Sequence, residues 1–130
     1  PTMQKVSIIV AILLASFANA ALAQEISPEV KEQTTKYAGA MTLCMTDYVE
    51  PRLRTRETAG DLVDASMSAC QEKFDDMRNF LLRTYVDPLA TEDVQLDQTV
   101  MVDKMVEAGN KSQRSLILSS ILEIRREHGL

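Results

Sequence analysis

Two cysteines constrain this chain more than any other feature. Cys44 and Cys70 are its only thiols, and each falls inside an apolar stripe with helical spacing. Val30, Thr34, Tyr37, Met41, Cys44 and Tyr48 recur at steps of four and three, as do Val63, Met67, Cys70, Phe74, Met77 and Leu81. That period marks one face of a helix. Pro51 interrupts the first stripe, since proline lacks an amide proton and clashes with the preceding turn. Two helices joined by a short polar loop become antiparallel neighbours. If Cys44 faces Cys70, Met41 meets Phe74, Tyr37 meets Met77, Tyr48 meets Met67 and Pro51 meets Val63. Every layer is apolar, and three set a methionine sulfur against an aromatic ring, a favourable contact. A slip of one or two positions would turn these partners apart. The pattern predicts a disulfide between Cys44 and Cys70 that staples a helical hairpin.

Helix boundaries follow from local chemistry. Ser27-Pro28-Glu29 supplies a cap oxygen, a proline for the first turn and an acid at the positive dipole end. Thr58 caps a second helix, predicted to run to about Val86 and to stop at Asp87-Pro88. Asp87, Thr91 and Asp97 compete to cap the next segment, whose apolar positions include Val94, Met101, Met105 and Ala108. Gly109-Asn110 predicts a break before a last helix built on Leu116, Ile117, Leu118, Ile121, Leu122 and Ile124. One long helix is the alternative, because an interior glycine costs only about 1 kcal/mol. Arg125, Arg126 and His128 suit the negative dipole end, and Gly129 marks the stop. Strand signals are poor. The expected fold is all-α, a small up-down bundle of three to four helices.

The compartment is read from the first residues. Met3-Gln4-Lys5 precedes an apolar run from Val6 to Ala18, and Ala18-Asn19-Ala20 and Ala21-Leu22-Ala23 follow as small-x-small exits. This is the layout of a bacterial secretory signal, shorter than the ~20 apolar residues of a membrane span. Residues 1–23 are therefore expected to be a signal peptide and 24–130 a single helical domain, periplasmic or secreted, that meets the membrane only during export. A disulfide persists in such an oxidising compartment. Removing Lys5 from 14 basic residues leaves 13 against 19 acidic ones, a net charge of −6. That balance argues against nucleic acid as a partner, which rewards clustered cations.

Candidate functional residues are few. Arg52, Arg54 and Arg56 alternate along the first interhelical loop, flanked by Glu50 and Glu57. They form the only dense basic patch, and their planar guanidinium groups suit carboxylate or phosphate. The broad apolar stripe of the last helix suggests a homodimer or partner interface. Met41 and Met45, and Met101 and Met105, are spaced to share helix faces, and soft sulfur ligands suit Cu(I). Helical spacing is also what a methionine-filled core requires. Glu72, Asp75 and Asp76 read as a solvated acidic face. No nucleophile elbow, spaced Ser-His-Asp set or phosphate-cradling glycine loop occurs. The expectation is a non-enzymatic exported module, without cofactor or metal, that binds another protein or itself. A sulfur-based copper or thiol-redox protein is the alternative.

Overall fold

A computed structural model of the chain describes residues 27–130. The predicted signal peptide lies outside them. The described residues form four α-helices and one 3-10 turn: α1 (Pro28–Val49), the turn Glu50–Arg52, α2 (Ala59–Ala69), α3 (Gln71–Tyr85) and α4 (Glu92–Glu127). No strand occurs among them. Helices α2 and α3 run on from one another as a bent rod, with α1 and α4 both packed along it. The architecture is an all-α up-down bundle.

The capping chemistry sets the boundaries. The Ser27 hydroxyl accepts from the Val30 amide at 3.2 Å, with Pro28 opening α1. The Thr58 hydroxyl accepts from the Asp61 amide at 3.1 Å and opens α2. At the far end Gly129 takes φ 65. The Leu130 amide reaches back to the Arg125 carbonyl at 2.8 Å, and the Gly129 amide to that of Arg126 at 3.4 Å. Paired bonds of this kind past a left-handed glycine satisfy carbonyls that the helix end would leave bare.

Two elements differ from the sequence expectation. The predicted second helix is broken at Cys70, whose φ of −102 and ψ of 17 leave the helical basin. Its amide still bonds the Ser66 carbonyl, and its own carbonyl accepts from Lys73 and Phe74. Beside the break, the buried Ser66 hydroxyl donates to the Val63 carbonyl at 2.7 Å. Side-chain bonding to a preceding turn bends helices in this way. Cys70 therefore sits at a helix junction rather than in mid-helix. The second difference is α4, which passes through Gly109 without interruption for 36 residues, or about 54 Å. Of the three competing caps Thr91 precedes the helix, while Asp87 is used in the preceding turn, its carboxylate accepting from the Leu89 amide at 2.9 Å.

Cys44 and Cys70 are disulfide-bonded, with Cα atoms 5.9 Å apart. Around that bond, Ala38, Met41, Met45 and Val49 of α1 meet Leu62 and Val63 of α2, Phe74, Met77 and Leu81 of α3, and Val102, Ile117 and Ile121 of α4 in one core. Tyr37 stacks on Phe80, centroids 4.9 Å apart, one turn beyond the Met77 that the cysteine register assigns to it. Helical side chains lean toward their own N-terminus, which carries Tyr37 of an antiparallel pair toward higher numbers on α3.

Helix α4 is antiparallel to the bent rod. Arg114 pairs with Asp64 at 2.9 Å and Asp103 with Arg78 at 3.0 Å, both at the surface. Midway between these pairs the same register sets Gly109 level with the Cys70 break. Gln113, one turn further, is 1 % exposed, and neither its amide nitrogen nor its amide oxygen has a hydrogen-bond partner among the described residues. An unpaired buried amide opposes folding.

Candidate functional site

The loop between α1 and α2 carries all three arginines singled out from the sequence, and the structure treats them differently. Arg52 turns back on its own helix. Its guanidinium donates to the Tyr48 carbonyl at 2.7 Å and lies 3.9 Å over the Tyr48 ring. It thereby satisfies a carbonyl of the last turn of α1, at the end where the helix dipole favours a cation. Arg54 and Arg56 are exposed and make no hydrogen bond or ion pair among the described residues.

The loop is fixed from beneath. Leu53 packs against the core. The Thr55 amide and hydroxyl both donate to the Arg52 carbonyl, at 3.1 and 2.8 Å. Arg125 crosses from the last turn of α4 and donates to three backbone carbonyls: Leu53 at 3.0 Å, Glu57 at 2.7 Å and Thr55 at 3.4 Å. Carbonyls 53, 55 and 57 thus converge on one guanidinium, and the intervening residues 54 and 56 show their side chains to solvent. The sequence offered Arg125 only as a complement to the helix dipole. Its grip on the loop carries no local signal, because the acceptors are backbone carbonyls and every residue has one.

The other candidates are distributed rather than gathered. Met41, Met45 and Met77 are buried in the core, and Met67 and Met105 pack against it. Both cysteines are consumed by the disulfide, so no free thiol is present. No group of three or more His, Cys, Asp or Glu among the described residues is arranged to hold a metal ion. In the last helix Ile117 and Ile121 enter the core and Leu118 packs on it, whereas Leu122 remains about half exposed. A larger apolar exposure lies at the opposite end of α4, at Leu89, Val94, Leu96 and Val100. No helix among the described residues is long and apolar enough to cross a membrane. The Asp64 carboxyl is held below its ordinary pKa, chiefly by its hydrogen bond from Arg114.

Compared with known proteins, the chain matches no protein family, no curated protein and no solved structure.

Proposed function

We propose that this is an exported, non-enzymatic binding module whose disulfide-stapled body presents Arg54 and Arg56 to another protein. The observation that carries the reading is the contrast within one loop: two guanidinium groups are open to solvent on a backbone anchored by Leu53, Thr55 and Arg125. Side chains that must hold a partner lose less freedom on binding when their backbone is already fixed. Residence in the periplasm or outside the cell is supported by the disulfide, which reducing compartments do not maintain, and by the signal-like sequence before Gln24. A role in thiol chemistry would first require that bond to open.

Two measurements test the reading. Expressed as the full chain in a bacterium, the protein should be recovered from the exported fraction with a new N-terminus after Ala20 or Ala23; recovery of uncleaved chain in the cytoplasm would overturn the compartment. Proteins of the exported fraction retained on the immobilised module should then be compared with those on Arg54→Glu/Arg56→Glu, by quantitative mass spectrometry. The binding partner is expected to fall at least tenfold on the variant while its melting temperature stays at the wild-type value. Equal retention of every protein by both would remove the loop from consideration.

A further inference from the structure

We infer that Arg125 is the positioning residue of the arginine loop, and that the loop so formed selects paired carboxylates on a protein surface rather than a polyanion. This rests on the reading of Arg54 and Arg56 as the contact.

The positioning part follows from geometry. A single guanidinium holds the carbonyls of Leu53, Thr55 and Glu57, residues 68 to 72 positions away in the chain. Arginine is suited to this because its planar fork carries five donors in fixed directions, which lysine cannot reproduce. The grip orients alternate backbone units toward α4 and leaves residues 54 and 56 on the outside. Arg125 is itself held in place, since its carbonyl receives the Leu130 amide at 2.8 Å in the turn that closes α4.

The ligand class follows from what surrounds the two free arginines. Glu50 and Glu57 lie in the same connection and are both exposed. Dense polyanions reward uninterrupted positive charge. This end of the bundle instead intersperses acids with its arginines, on a chain of net negative charge. Such a surface recognises at short range, through forked pairing of guanidinium to carboxylate, and its own acids reject a continuous negative field. An acidic patch with neighbouring Asp or Glu side chains, bordered by basic groups that answer Glu50 and Glu57, fits it.

The test is an NMR titration of the arginine Nε–Hε signals of the folded protein with a blocked Glu-Gly-Glu peptide, with heparin as the polyanion arm. The Arg54 and Arg56 signals should shift saturably with the peptide while the Arg125 signal stays in place. An Arg125 shift as large as theirs would make it a contact and end the positioning role. In Arg125→Lys, amides 53–57 should exchange faster and the dissociation constant, measured well below melting, should rise at least fivefold. A purely structural role would lower the melting temperature and leave that constant unchanged, which would overturn the inference without touching the site. If Arg54→Lys/Arg56→Lys binds the peptide as the wild type does, the site reading itself fails. Saturable heparin binding tighter than that of the peptide would overturn the assigned ligand class.

Discussion

The two interhelical loops of this bundle, α1 to α2 and α3 to α4, solve one problem with different chemistry. In each, a single side chain of α4 gathers three backbone carbonyls. Arg125 holds those of Leu53, Thr55 and Glu57, and Gln95 holds those of Asp87, Pro88 and Ala90 at 3.1 to 3.2 Å. The first anchor is charged and forked. The second is a neutral amide with two protons to share among three acceptors, supported by the Gln98 side chain, which accepts from the Asp87 amide at 2.9 Å. What each end shows to solvent is opposite. The Arg125 end tucks Leu53 inward and displays arginines, whereas the Gln95 end leaves Leu89 93 % exposed, with Leu96 nearby. Charged hydrogen bonds are about twice as strong as neutral ones. The arginine-bearing loop should therefore be the more rigid of the two.

The largest effect is expected at the body both ends share. Reducing the disulfide, or replacing Cys44 and Cys70 by alanine, should cost about 3.5 kcal/mol, the chain-entropy value for a loop of this length. Chemical denaturation should show that loss with both connections destabilised together. A selective effect on one loop would mean that the ends do not share a scaffold. Next in size is the contrast between the anchors. Arg125→Met should cost about 2 kcal/mol and Gln95→Met about 1 kcal/mol, the usual range for charged and neutral donors. Hydrogen exchange at amides 53–57 and 87–90 reads the two separately, and equal losses would erase the difference argued above.

A third change acts between the ends. Gln113→Met replaces an unpaired buried amide with an apolar chain of similar volume and should stabilise the fold by roughly 1 kcal/mol. A lower melting temperature would show that the amide has a partner. The smallest effect concerns pH. The Asp64 carboxyl titrates lower in the folded protein because Arg114 bonds its charged form. A depressed pKa contributes stability above the unfolded value of about 3.9 and loses it as pH falls through the folded one. Arg114→Met should abolish that contribution, flattening the acid limb of the stability curve only slightly, because the pair is exposed.

Much of this fold was legible because its determinants are local. Ser27, Thr58 and Gly129 act within four residues of themselves, and a cap or a left-handed turn leaves a recognisable residue in place. The cysteine register was legible because two stripes had to agree layer by layer. The break at Cys70 was not, since the spacing Met67, Cys70, Phe74 continues unchanged across one bent residue. Gly109 misled in the opposite direction: its cost is below the packing gained by continuing α4 through it. Within the candidate site, all three arginines were found as a patch, and the Tyr48–Arg52 spacing of one turn was the available sign that Arg52 would fold back. Arg125 and Gln95 could not be assigned their roles, because tertiary bonds to distant carbonyls write nothing into the neighbouring residues.

The length of α4 carries a last consequence. One unbroken rod supplies the anchor for both connections, so neither can detach without pulling on a helix that also fills the core with Val102, Ile117 and Ile121. Opening is thereby made collective: the described body should melt in one cooperative step, with calorimetric and spectroscopic transitions superimposed, rather than fraying from its tips.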